Sequence, residues 1–129
     1  MSTTPAAKTV LLVEDDDVVR HLTAEVLEEF GYRVHALRDA PSALEALRNG
    51  LACDLLMSDI SLPGMDGPHL VEMARQLRPT LPVLFASGYG ERELIDQVRA
   101  RDVEARTDGI VKPYDLALLA NRLDELTAD

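Results

Sequence analysis

The sequence predicts an α/β fold: a single doubly wound, five-stranded parallel sheet in the order 2-1-3-4-5. Three observations predict it. Short apolar runs alternate with longer amphipathic ones along the chain. Gly and Pro punctuate the boundaries between them. The 129 residues are 47% hydrophobic, which suits one compact domain with a real core. Strands alternating with helices mean βαβ units and a sheet covered on both faces. Right-handed crossovers then restrict the topology, and 2-1-3-4-5 is the common order at this length.

Residues 8–13 (KTVLLV) read as a strand buried on both faces. Residues 18–30 read as a helix with Val19, Leu22, Val26 and Phe30 on one stripe, closed by Gly31. Residues 33–37 form a short second strand. Residues 41–49 form a second helix, with Pro41 in its first turn and Gly50 past its end. Residues 54–58 (DLLMS) form a third strand, directly followed by Asp59. Residues 68–78 form a third helix that stops before Pro79. Residues 82–86 (PVLFA) form a fourth strand. A weaker helix spans 91–100, with Leu94, Ile95 and Val98 as its apolar face. Ile110 and Val111 are the heart of a fifth strand. A last helix over 114–127 turns Leu116, Leu119, Leu123 and Leu126 inward. The domain thus runs over 8–129, behind a flexible N-terminal segment, 1–7.

Charge and composition exclude several function classes. The formal net charge of -10 argues against nucleic-acid binding, which needs a basic face. The lone Cys53 rules out an internal disulfide and a multi-Cys zinc site, and fits a reducing, cytoplasmic setting. The start, MSTTPAAK, lacks a signal-peptide core, and no stretch is apolar enough to span a bilayer.

In this topology ligands bind beyond the carboxyl ends of the strands, at the switch point between strands one and three. Strand one ends in Glu14 and Asp15, strand three in Asp59, strand four in Ser87 and strand five in Lys112. Each alone has an ordinary explanation as a loop acid, a turn serine or a solvated lysine. All five at matched strand ends are harder to dismiss. Two carboxylates ~4 Å apart repel by ~4 kcal/mol at an effective dielectric of ~20, and a hard divalent cation removes that cost. Mg²⁺ fits best, because it takes a few carboxylates and keeps several waters. Zinc does not fit a set without His or Cys. A metal with open positions, a lysine and a hydroxyl make a phosphoryl-handling site. Asp16 and Asp17 serve differently. They open the first helix, one as N-cap and one at the dipole's positive end.

From residue 8 to about 127 the chain resembles the receiver domain of two-component response regulators. The matching pieces are Glu14 with Asp15, SDISLPGMDG at 58–67, Ser87 with Gly88, and Lys112 with Pro113. Members share the flavodoxin-like 2-1-3-4-5 order, so the order and the resemblance are one inference. The resemblance implies that Asp59 is the phosphoacceptor, forming an aspartyl phosphate. It implies that Asp15 binds Mg²⁺ directly, Glu14 directly or through a metal-bound water, and Ser61 through its backbone carbonyl. Mn²⁺ and Ca²⁺ are the expected substitutes. Ser87 would donate to a phosphoryl oxygen, and Lys112 would pair with the acceptor carboxylate and then the phosphate. Lys112–Pro113 would be a cis bond. The implied role is to carry a signal, not to turn over a substrate. The implied partners are a sensor histidine kinase or phosphotransfer protein, and an unknown downstream protein.

The chain departs from the usual receiver at Gly109, where many members carry an aromatic switch residue three positions before the lysine. The stretch PVLFASGYG at 82–90 resembles the FAT GUY subfamily, with Ser87 for Thr and Val83 where Phe is frequent. That implies a loose fourth helix and a different switching route. RDVEARTDG at 101–109 agrees in part: it is polar, lacks an apolar stripe and ends in a turn signal. Tyr89 and Ser61, each two residues past a site residue, are expected to border the phosphoryl group and gate water there; the alternative for Tyr89 is that it merely covers a loop. His21, His35 and His69 lack the frame of a phosphotransfer histidine and read as structural or solvated.

Four other readings compete. A receiver module of a hybrid histidine kinase would carry the same residues. An aspartyl-nucleophile, Mg²⁺-dependent phosphohydrolase needs an acid two positions after the nucleophile, where Ser61 stands. A nucleotide-binding enzyme lacks its glycine loop. A pseudo-receiver that only binds partners would not need the full set of acids, Ser87 and Lys112. The segment 88–109 is predicted to be the mobile element. Amide exchange should show it less protected than the sheet and changed by a phosphoryl analogue; uniform high protection in both states would contradict this.

Overall fold

The computed structural model describes residues 7–88 and 90–128. Residues 1–6 of the expected N-terminal segment, and Tyr89, expected to gate water, lie outside the described residues. Ten elements alternate strictly: β1 Thr9–Val13, α1 Asp17–Glu29, β2 Arg33–Leu37, α2 Ala40–Arg48, β3 Leu55–Asp59, α3 Gly67–Leu77, β4 Val83–Ser87, α4 Arg92–Arg101, β5 Thr107–Val111 and α5 Leu116–Thr127. The strands form one parallel sheet in the order β2-β1-β3-β4-β5.

Strand side chains alternate between faces, and that alternation divides the core in two. Leu11, Val13, Leu56, Val83 and Phe85 face α2, α3 and α4. Val10, Leu12, Leu55, Met57, Leu84 and Ile110 face α1 and α5, chiefly Leu27, Leu119, Leu123 and Leu126. Strands β3 and β4 are buried along their whole length, as central strands of a covered sheet must be. Edge strand β2 is largely exposed and tolerates Arg33 and His35. Cys53 packs against the first cluster, and burial pushes its thiol pKa up, so it is an inert apolar filler.

Helix starts follow the sequence chemistry. Asp16 caps α1 by accepting from the Val19 N–H at 3.0 Å. Asp39, Asp66 and Asp115 cap α2, α3 and α5 in the same way. Asp17, the first residue of α1, pairs with Arg20 at 2.5 Å. Lys112–Pro113 is a cis peptide, as the resemblance implies.

Several packing expectations are corrected. In α1 the buried residues are Thr23 and Leu27, while Leu22 is 57% exposed and Phe30 lies at the surface. The packed positions are Thr23 and Leu27, with Ala24 and Val26 partly buried beside them, and a polar Thr among them hides the face from a hydropathy pattern. Leu116 is 53% exposed because it opens α5, where the first turn projects past the packed Leu119, Leu123 and Leu126. Leu94 is also exposed, while Ile95 and Val98 carry the α4 contact. Asp108 and Gly109 are not a turn. They lie inside β5, opposite Leu84 and Phe85 of β4. A Cβ at Gly109 would meet the Cδ1 end of the Ile95 side chain, which α4 lays against the strand. Helix α4 itself is continuous from Arg92 to Arg101.

Buried Arg75 ties α3 to its neighbours. Its guanidinium donates to the Leu81 carbonyl at 3.1 and 3.0 Å and to the Arg106 carbonyl at 3.0 Å, and pairs with Asp102 at 2.8 Å. Arg101 first, and Arg75 with it, hold the Asp102 carboxyl down at about 2 against the cost of burial.

Gly67 starts α3 with its N–H on the Ile60 carbonyl at 2.7 Å, and a Cβ there would overlap the Asp59 carbonyl. The obstacle is backbone, so nothing nearby can rotate away. Gly67→Ala should lower stability by about 1–3 kcal/mol in urea denaturation. Wild-type stability in that variant would show that the α3 start is not held against β3.

Candidate functional site

The carboxyl ends of β1, β3, β4 and β5 converge, and each is fixed by backbone bonds before any side chain is considered. Glu14 donates its N–H to the Leu37 carbonyl, and its own carbonyl accepts from Arg20 Nη1 at 3.0 Å. The Ile60 N–H bonds the Ala86 carbonyl at 3.1 Å, locking the chain just past Asp59 to β4. The Lys112 N–H bonds the Ser87 carbonyl at 2.9 Å, locking the end of β5 to β4. Buried Ser58 donates its hydroxyl to the Asp59 carbonyl.

On this frame Glu14, Asp15 and Asp59 each present a carboxylate oxygen within 4.8 Å of the others. Glu14 and Asp59 are buried, at 3% and 8% exposure, and Asp15 is exposed. Lys112 Nζ lies between the two buried acids, 2.5 Å from Glu14 Oε1 and 2.7 Å from Asp59 Oδ1. One ammonium among three carboxylates leaves two negative charges uncompensated when all are ionised. The hard oxygen donor set and that residual charge both suit a divalent cation such as Mg²⁺. Among the described residues this is the group of acids placed to hold a metal.

Crowding shows in the proton affinities. Burial first, and the neighbouring Glu14 carboxylate second, push the Asp59 carboxyl up to about 7, against the pull of Lys112. Burial also works against charge on Glu14, but hydrogen bonds from Asp59 and Lys112 outweigh it and lower its pKa. Burial opposes the charge on Lys112, and the two carboxylates outweigh it and raise its pKa. Without a cation the crowded pair therefore holds a proton more readily than a free carboxylate would, chiefly at Asp59. Burial pushes the neighbouring Tyr114 phenol up to about 12, so it stays neutral beside the cluster.

A family model described as the response regulator receiver domain matches residues 10–124. The chain belongs to this family. The receiver is 36% identical over 119 residues to the sensor kinase CckA of Brucella abortus, covering 92% of the chain but 12% of that kinase. It is 32% identical over 120 residues to the response regulator receiver protein CpdR of the same organism, covering 92% of the chain and 96% of CpdR. The crystal structure of a signal receiver domain from an HD domain-containing protein of Pseudomonas fluorescens superposes with a TM-score of 0.83 at 28% identity, covering 98% of this chain and 91% of that one. The chain is thus a receiver domain of two-component systems, a family of signalling modules.

The receiver brings together four of the residues singled out in the sequence, Glu14, Asp15, Asp59 and Lys112. Ser87 ends β4 buried, but its hydroxyl donates to the Ile110 carbonyl at 3.4 Å, toward β5. Ser61 is exposed and donates its hydroxyl to Glu91 at 3.3 Å. Gly109 lies behind this edge, within β5. Two residues escaped the sequence reading. Arg20 anchors the Glu14 carbonyl, and its one sequence signal is its spacing from Asp17. Glu91 reaches the loops after β3 and β4, and no local pattern announces that.

The raised Asp59 pKa carries a stability consequence. Unfolded Asp titrates near ~3.9, so between about pH 4 and 7 the folded chain holds a proton that the unfolded chain has lost. Stability of the metal-free protein should therefore fall as pH rises through that window. Above pH 7, metal-free Asp59→Asn should be more stable than wild type by about 1–3 kcal/mol, read from urea midpoints. Equal stabilities at pH 8 would mean that Asp59 bears no such penalty.

Proposed function

We propose that this receiver accepts a phosphoryl group on Asp59 from a phosphohistidine of a sensor kinase or phosphotransfer protein. The observation that carries the reading is the Asp59 carboxylate, buried at a strand end, held 2.7 Å from Lys112 and beside two further acids. An Asp59 oxygen attacks phosphorus, the P–N bond breaks, and the imidazole leaves with the electron pair and a proton from solvent. The product is an acyl phosphate on Asp59.

Lys112 then pairs with a phosphoryl oxygen as it now pairs with the carboxylate. Asp15, Glu14, Asp59 and the Ser61 backbone carbonyl would hold Mg²⁺, with Mn²⁺ or Ca²⁺ as substitutes. Bound there, the cation would neutralise the charge of donor and acceptor oxygens. The Ser87 hydroxyl would turn from the Ile110 carbonyl toward the phosphoryl group. With glycine at position 109, the response is proposed to run through the loop after β4 and α4. Tyr89 and Ser61 would border the phosphoryl group and limit water. Ser61 offers no general acid for the phosphohydrolase reading.

Two settings fit the role. Similarity to CckA supports a receiver module of a hybrid kinase, and similarity to CpdR supports a regulator that is little more than a receiver. Among the described residues no helix is long and apolar enough to cross a membrane. A cytoplasmic location belongs to the same reading.

Incubation with Mg²⁺ and a small phosphodonor should yield one acid-stable, base-labile phosphoryl adduct by intact mass. Asp59→Asn should show none. Catalytic release of phosphate from esters, or an adduct that survives in Asp59→Asn, would overturn the assignment. Asp15→Asn should weaken Mg²⁺ binding by at least about tenfold, read by calorimetry or by loss of Mg²⁺-induced thermal stabilisation.

A further inference from the structure

One side chain joins the two loops that flank Asp59, and phosphoryl acceptance by Asp59, Lys112 and the acids makes no use of it. Glu91 stands immediately before α4, in the N-cap position, yet it makes no side-chain cap to that helix. Its carboxylate turns back instead. Oε1 accepts from the Gly88 N–H at 2.6 Å, and Oε2 accepts from the Ser61 hydroxyl at 3.3 Å.

The register shows what those two donors have in common. Asp59 of β3 lies opposite Ala86 of β4. Ser61 is two residues past Asp59, and Gly88 is two residues past Ala86. The two groups that Glu91 holds stand at the same height beyond the strand ends, one on each neighbouring loop. An amide N–H and a hydroxyl on the two loops that follow paired strand ends, one of them carrying a buried carboxylate, are donors of the kind a phosphoryl group on that carboxylate would use. In the resting protein a carboxylate already occupies both.

We propose that Glu91 is a resident anion, occupying the oxygen-binding donors of the resting site and displaced when Asp59 carries a phosphoryl group. The proposal rests on Asp59 as acceptor and adds a residue that sets how readily the site fills. An incoming dianion must evict a carboxylate from Gly88 and overcome its charge. Once evicted, Glu91 is free at the positive end of α4, so filling the site and releasing the tie to α4 are the same event.

The test uses beryllium trifluoride with Mg²⁺, titrated calorimetrically into wild type, Glu91→Ala and Glu91→Gln. A resident anion predicts that both variants bind the analogue more tightly, by about three- to tenfold, since both remove the competing charge. A mere brace between the loops predicts the reverse pattern: Ala weakens binding and Gln restores it. Unchanged or weakened binding in both variants also overturns the proposal. Glu91→Gln keeps an oxygen for Gly88, so it preserves the loop even where Ala loosens it. As a second reading, the resting Gly88 amide proton should move upfield in Glu91→Ala, and an unmoved resonance would show that the contact is not made. Failure of wild type to bind the analogue at all would instead sink the acceptor assignment, which separates the two outcomes.

Discussion

The Lys112 ammonium, set between the Glu14 and Asp59 carboxylates, is the interaction on which the site depends. It joins the ends of β1, β3 and β5 through one charged atom. Two buried acids at this spacing would otherwise force each other apart or neutralise. The lysine holds them together while leaving Asp15 outside the pairing, at the solvent edge. Its placement owes nothing to side-chain luck, because the Lys112 N–H is bonded to the Ser87 carbonyl of the neighbouring strand. The acceptor side is equally constrained, because Asp59 is wedged between β4 and the glycine that begins α3. The charged groups are mobile in principle, but the backbone atoms that carry them are not.

Much of this was legible in the sequence, for a physical reason. Strand order and strand ends follow from apolar runs and breakers, which are local signals. Once the order was known, Glu14, Asp15, Asp59, Ser87 and Lys112 had to lie along one edge. What stayed hidden depended on contacts between distant segments. The stripe on α1 was misplaced because Thr23, a polar residue, carries part of its packing, while apolar Leu22 faces water. Asp108 and Gly109 look like a turn, but two arginines and Ile95 hold them in β5. Glu91 looks like an ordinary helix-opening acid. Only the folded chain shows its carboxylate pointing away from the helix it precedes.

Those hidden contacts share a location. The site acids sit on rigid strand ends, whereas the contacts that the sequence did not reveal lie largely around α4 and β5. The division is one between placement of charge and transmission of its change. The first follows from topology, which brings the same strand ends together in every sheet of this order. The second is set by pairwise packing, where one residue, such as Gly109 beneath Ile95, alters which surfaces touch.

The Arg75 network gives α4 a mechanical character. Its far end is fastened, because Asp102 accepts from a buried guanidinium that also grips the Leu81 and Arg106 carbonyls. Its near end is tethered to the site edge through the Glu91 carboxylate. A rod pinned at one end and untied at the other pivots; it does not slide. A small movement at the pin becomes a larger one at the free tip, so exposed Leu94 in the first turns of α4 would sweep the greater arc.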